Sequence, residues 1–336
     1  MLQEMNPVSN ISQTLSVDDN ISKTAVKINK KKFSSTEIAT LFLNAKVLEK
    51  NGELNLALIL LQEACNRDSK NEIILDEVYN ILVKFNRLTE AEIVILNNQQ
   101  YNYSLLRTLE LAKIYYLNEK EDDAFKLYFD CLSQFIEDDK ILFEIYKNIA
   151  NIYLKQREFD LAEEYFFKAY QLNNSSDVLL INIGVLEYQK KDIEKSLFCF
   201  RKAIELNNKN DKAWVGLAMV HLEFGDKELS WGNLVKALDN NPMNKTALIL
   251  LAQNVYSSEM NSQCQQYLIK YLEIENFDEE ISLLLINSLI KSGDYQNAYL
   301  ESYKNLLWNP ENKENSKIFK QLSDYLKGQT DATVHK

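Results

Sequence analysis

A small residue returns along this chain at an almost constant interval. Ala57, Ala91, Ala124, Ala162, Ser196, Ser230, Cys264 and Ala298 are separated by 34, 33, 38, 34, 34, 34 and 34 residues. Twelve residues before each stand Ala45, Tyr79, Ala112, Ala150, Gly184, Ala218, Ala252 and Ile286, again mostly small. Two antiparallel helices approach closely only where the side chains at their crossing are small. Paired small positions that recur with one period therefore mark a series of helical hairpins, helix A meeting helix B once per unit. Unrelated amphipathic helices would not hold that register over eight units, and a period of roughly 20–50 residues is the mark of stacked repeats.

Composition supports helices and argues against strands. Seven glycines and three prolines among 336 residues leave few breakers, while Leu, Ile, Lys, Glu, Asn and Tyr are abundant. An all-β or Rossmann-like chain would need more glycine at its turns. The expected fold class is all-α. Gly52, Gly225 and Gly293 stand where helix A hands over to helix B, a place that favours a left-handed residue. Asn86, Arg157 and Lys191 take that place in other units. Pro242 and Pro310 close two units, and Asn174, Asn208 and Asn276 fill the same slot in others. The 38-residue interval between Ala124 and Ala162 requires about one extra helical turn. It is expected in the helix through Cys131-Leu132-Ser133-Gln134-Phe135, or in the loop after it.

Residues 1–33 are rich in Ser, Asn, Asp and Lys without periodicity and are expected to form a disordered tail. Its lysines Lys27, Lys30, Lys31 and Lys32 read as a solvated arm rather than a nucleic-acid site. The first helix is expected to open at Ser34, with Ser34 and Glu37 forming a capping box. Hairpins fill residues 34–312. Residues 313–327, with Ile318, Phe319, Leu322, Tyr325 and Leu326 at helical spacing, are expected to cap the last open face, and 328–336 to form a flexible tail.

Two units carry a recognisable pattern. One has Tyr146, Ile149, Ala150 and Tyr153, followed by Ala162, Phe166 and Ala169; the other has Trp214, Leu217, Ala218, Ser230, Leu234, Ala237 and Pro242. This pattern resembles the tetratricopeptide repeat family, and the resemblance covers roughly residues 36–310. It implies a right-handed α-solenoid of about eight helix pairs with a C-terminal capping helix, whose concave groove, built from helix A, binds a protein or peptide. By repeat position that face would carry Glu144, Lys147, Asn151, Leu154 and Lys155, then Val178, Ile181, Val185, Tyr188 and Gln189. Lys212, Val215, Met219, Leu222 and Glu223 would follow, then Thr246, Ile249, Gln253, Tyr256 and Ser257.

The candidate partner-binding residues are Lys147, Asn148, Asn151, Ile181, Asn182, Val185, Tyr188, Lys212, Val215, Met219 and Leu222. Two readings of the apolar ones stand side by side. Neighbouring helices or the N-terminal tail cover them as ordinary core, or they form an open groove for an amphipathic helix or extended peptide, with Met219 and Tyr188 as adaptable contacts. Asn148 and Asn182 share one repeat position, from which an amide can hold a peptide backbone. The family's carboxylate clamp would place Lys147, Asn151, Asn182 and Lys212 around a partner's C-terminus, but Gly216 stands where its arginine belongs.

Catalytic constellations are not found. No phosphate-binding loop, dinucleotide fingerprint, zinc-protease motif or nucleophile elbow occurs. Of the two histidines, His221 falls in a helix A position that packs, and His335 lies at the end of the chain. Cys65, Cys131, Cys199 and Cys264 are far apart, without metal-ligand spacing, and fit a reducing compartment. No enzyme activity, cofactor or metal is expected. A net charge of −11 repels nucleic-acid phosphates and anionic membranes. The first thirty residues hold no apolar run of signal-peptide length, and no stretch is long enough to span a bilayer. The expected function is a cytoplasmic adaptor or scaffold that captures a partner segment. A client-specific chaperone and a non-catalytic targeting subunit of an enzyme are the alternatives, and homo-oligomers through the groove are compatible with either.

Overall fold

The computed structural model describes residues 33–101, 103–134, 136–255 and 257–334. The tail through residue 32, with its lysine cluster, lies outside the described residues, as do Phe135, Tyr256 and His335. Every regular element among the described residues is an α-helix. The chain divides into two compact units between Gln156 and Arg157.

The first unit contains α1 (Thr36–Lys50), α2 (Leu54–Arg67), α3 (Glu72–Lys84), α4 (Leu88–Tyr101), α5 (Leu105–Leu117), α6 (Glu121–Leu132) and α7 (Asp139–Lys155). α1 packs on α2, α3 on α4 and α5 on α6, and each hairpin packs on the next. The anchors Ala57, Ala91 and Ala124 are 0% exposed, so the sequence period marks real helix crossings. A continuous core of Ile38, Leu61, Ile74, Ile81, Ile95 and Ile114 runs through the stack. Burying each such side chain contributes about 1.5–3 kcal/mol.

The start of α1 differs from the expectation. Ser35, not Ser34, is the cap, its hydroxyl accepting from the Ile38 amide at 3.3 Å. Ser34 Oγ instead donates to Asp68 at 2.9 Å, and Glu37 pairs with Arg67. Both polar groups of the expected box thus tie α1 to the end of α2. The extra turn is also elsewhere than expected. α6 stops at Leu132, while α7 has 17 residues where α5 has 13. The four additional residues extend the beginning of α7, where Asp138 accepts from the Lys140 amide at 2.8 Å and caps it.

A charged network joins α1 to α3. Lys46 and Lys84 each reach Glu49 at 2.5 Å, and Lys46 also reaches Glu77 at 2.6 Å. Hydrogen bonds from Lys46 and Lys84 hold the Glu49 carboxyl down at about 2, against an ordinary 4.5. A depressed folded value means that the stabilisation is complete above the unfolded value and is lost as pH falls through the folded one. Glu49→Gln is therefore expected to flatten the acid limb of the stability profile between pH 4.5 and about 2. Denaturation midpoints measured across that window would check this; an unchanged acid limb would show that the network carries no linked proton.

The second unit contains α8 (Phe159–Leu172), α9 (Asp177–Gln189), α10 (Ile193–Leu206), α11 (Asp211–Glu223), α12 (Lys227–Asn240), α13 (Lys245–Gln253), α14 (Ser258–Ile274), α15 (Glu279–Lys291), α16 (Tyr295–Trp308) and α17 (Lys313–Val334). Ala162, Ser196, Ser230, Cys264 and Ala298 are again 0% exposed. At one crossing the contact is explicit: Ser196 Oγ donates to the Gly184 carbonyl at 2.8 Å, twelve residues earlier. The hairpin turns use positive φ at Lys191 (64°), Gly225 (80°) and Gly293 (80°), as Gly52 (82°) and Asn86 (56°) do in the first unit. Glu119 (61°) stands in the same slot, five residues before Ala124, and adopts the same conformation.

A polar clasp links successive hairpins of this unit. The loop amides of Asn207 and Asn210 both donate to Asp177 Oδ2 at 2.8 Å. One repeat later Asn241 and Asn244 grip Asp211 Oδ2 at 2.8 and 2.7 Å. At the end of the unit Asn309 and Asn312 grip Glu279. An Asn-x-x-Asn loop thus holds the acidic first residue of the preceding helix A, while Asn210 and Asn244 also cap the helices that follow them.

The repeat is irregular at α13, which has nine residues; α14 begins early at Ser258 and has 17. Ala252, at the expected crossing, is only partly buried. α17 covers the last hairpin as expected, with Leu322 5% exposed, Tyr299 stacked on Phe319 at 4.9 Å and Asn315 bonded to Ser302. It continues to Val334, so its helix runs past residue 327 into the segment expected to be a tail.

Candidate functional site

The candidate residues fall in both units. In the first, Lys147, Asn148 and Asn151 lie on α7. The Lys147 ammonium is engaged with Glu144 at 2.6 Å and sits 5.3 Å from the centre of the Phe143 ring. Asn148 hydrogen-bonds the buried Tyr128 hydroxyl, and Asn151 is half-buried.

In the second unit the structure brings Ile181, Asn182, Val185 and Tyr188 of α9 together with Lys212, Val215 and Met219 of α11 around one open groove of about 620 Å³. Leu222 is half-buried on the same helix and does not line it. Thr246 of α13 and the loop residues Asn241, Met243 and Asn244 close the far side. The floor is apolar, with Ile181 and Val215 6% and 7% exposed. The 3.6-residue period puts Ile181, Val185 and Tyr188 on one stripe of α9, and Val215 and Met219 on the facing stripe of α11.

Phe200, from helix α10, completes the floor. Its ring lies so close to Gly216 that a Cβ there would stand 2.2 Å from Phe200 Cε1; at Gly184 the same distance would be 2.9 Å. Helix B therefore sends an aromatic ring between two helices A, and glycine on α11 makes the room. A frame built on helix A alone leaves out Phe200 and reads Gly216 only as an absent arginine. A glycine in mid-helix, which costs about 1 kcal/mol relative to alanine, was the signal available.

The rim is polar. Asp211 is occupied by Asn241 and Asn244. Tyr188 donates its hydroxyl to Glu223 at 2.7 Å, and burial together with that bond pushes the phenol up to about 12. Lys191 lies 5.5 Å from the Tyr188 ring centre and 3.5 Å from Glu223, fixing the aromatic side chain at the groove's edge. Asn182 is half-buried and Lys212 exposed at the mouth.

His221 of α11 is buried and does not line the groove, its Nδ1 3.7 Å from Asp226. Cys131, Cys199 and Cys264 are buried free thiols, and burial raises all three; Cys65 is half-buried. Among the described residues no cluster of His, Cys, Asp and Glu could hold a metal ion, and no helix is long and apolar enough to cross a membrane.

Family models described as tetratricopeptide repeat match residues 143–176 and 179–210. No curated protein matches the chain. Among solved structures, the chain is similar to the APC/C hetero-tetramer Cut9–Hcn1, at 15% identity and a TM-score of 0.52. The match covers 90% of this chain and 51% of that one, so this chain spans about half its length. A tetratricopeptide repeat protein from Parabacteroides merdae ATCC 43184 is similar over 76% of this chain and 100% of its own, at 16% identity and a TM-score of 0.56. Likeness at these identities bears on fold, and it agrees with the repeat register, the left-handed turns and the buried small-residue crossings. Residues 143–176 and 179–210 carry tetratricopeptide repeats, and the chain shares the helical-repeat fold of a solved tetratricopeptide repeat protein.

Proposed function

We propose that this protein is an interaction scaffold whose α9–α11 groove captures an apolar segment of a partner protein. The observation that carries this reading is the groove itself: an apolar floor of Ile181, Val215 and Phe200, open to solvent, beside Met219 and Met243. Methionine side chains adapt to irregular apolar surfaces, and an open apolar surface with a polar rim is the form of a docking site. The Asn182 amide and the Lys212 ammonium supply orientation at the mouth, and apolar burial at about 25 cal/mol per Å² supplies affinity. Nothing in the groove pairs a nucleophile with a base, so binding rather than catalysis is the chemistry these side chains support. A reducing, cytoplasmic setting fits the unpaired thiols.

The Tyr188→Ala, Met219→Ala double variant is expected to fold as wild type and to lose partner capture, since both side chains are only partly buried. Affinity purification with wild type and variant, followed by titration of the purified partner, tests this. Equal affinity of the two proteins would move the site elsewhere.

A further inference from the structure

A second groove lies in the same unit on the helix B side. It runs between α14 and α16, is floored by Leu285 and Leu289 of α15, and has a volume of about 510 Å³. Its walls are aliphatic and exposed: Ile269 is 43% and Leu300 48% exposed. The apolar strip continues along α16 through Tyr303 and Leu307, 48% and 64% exposed, at the spacing of one helical face. Tyr303 also packs on Phe319 of α17, with ring centres 6.0 Å apart, and contiguous exposed apolar surface rimmed by polar residues marks an interaction site.

The rim states the partner's charge. Glu273, Asp294 and Glu301 line the groove with a single cation, Lys304, and its ammonium lies 3.4 Å from Glu301. Asp294 also accepts from Asn297 as the cap of α16, and Glu301 from Ser282 at 2.9 Å, but these donors are neutral, so three negative charges face one positive charge that Glu301 already holds. The surface therefore attracts positive charge and repels negative charge. A second copy of this chain, with a net charge of −11, would approach against that field.

We propose that the α14–α16 groove is a second docking site, distinct from the α9–α11 groove, for an amphipathic helix of a partner protein that carries lysine or arginine beside its apolar face. Leucine-sized side chains at i, i+3 or i+4 and i+7 would fill the strip between Ile269 and Leu300. Basic residues on the flanks would meet Glu273. With two grooves on different helix faces of one unit, the protein can hold two segments at once, which makes it a bridge rather than a holder of one client.

A displayed library of helical peptides, selected on the full chain and counter-selected on the Ile269→Asp, Leu300→Asp double variant, tests this. Both positions are exposed, so the variant keeps its fold. Surviving peptides are expected to show apolar residues at helical spacing with lysine or arginine on the flanks. By fluorescence anisotropy, such a peptide should lose about tenfold in affinity on Glu273→Lys, and again when its own basic residues become glutamate. It should bind the Tyr188→Ala, Met219→Ala variant as tightly as wild type. The proposal is overturned if no peptide survives counter-selection, if neutral or acidic peptides dominate, or if the Tyr188 and Met219 changes abolish binding. It is equally overturned if sedimentation shows a wild-type dimer that the double variant dissolves, because the occupant is then a second copy.

Discussion

Phe200→Ala is expected to remove about 3–5 kcal/mol of stability, the usual loss for a large aromatic cut out of a core. Phe200 is 2% exposed and packs with Leu180, Ile181, Ala203, Ala213, Leu217 and Val220, so it joins the α9–α10 hairpin to the α11–α12 hairpin. In a repeat array each unit is held by its neighbours, and a fault at one interface weakens the units on both sides. Hydrogen exchange should therefore accelerate first in α9, α10 and α11, and more slowly in α15–α17. The groove should lose its floor at the same time, since the ring forms part of the lining. Denaturant titration with exchange by residue measures both effects. A loss below about 1 kcal/mol, or uniform exchange, would mean that the two hairpins are joined mainly by other contacts.

The features legible in the sequence were those set by short-range chemistry. Paired small residues at a fixed period announced the crossings, and all eight anchors are fully buried. The slot between helix A and helix B announced the left-handed turns at Gly52, Asn86, Arg157, Lys191, Gly225 and Gly293, and Glu119 occupies the same slot five residues before its anchor. The interval of 38 residues announced an insertion but not its place, since a turn added at the end of α6 or at the start of α7 gives the same spacing. The clasp of Asn207 and Asn210 on Asp177 was invisible because donor and acceptor are 30 and 33 residues apart. The seven candidate residues that line the groove stand at recurring helix A positions and could be found; Phe200 comes from a helix B, and Met243 and Asn244 from a loop, so no helix A frame could include them.

The same contact explains why an arginine is missing from the clamp pattern. Any side chain at 216 must begin with a Cβ, and that atom would overlap the Phe200 ring at 2.2–2.5 Å. Packing, not ligand choice, therefore keeps this place free of side chains, and the groove is apolar where the clamp would be cationic. Gly216→Ala should consequently destabilise the protein, because overpacking of about 1–3 kcal/mol exceeds the roughly 1 kcal/mol that alanine gains in a helix. In the Phe200→Ala background the obstruction is gone, and the same substitution should stabilise by about 1 kcal/mol. A double-mutant cycle by denaturant titration reads this change of sign as a coupling energy. Additive effects would mean that the ring moves aside freely, and then an arginine introduced at 216 could be accommodated as well.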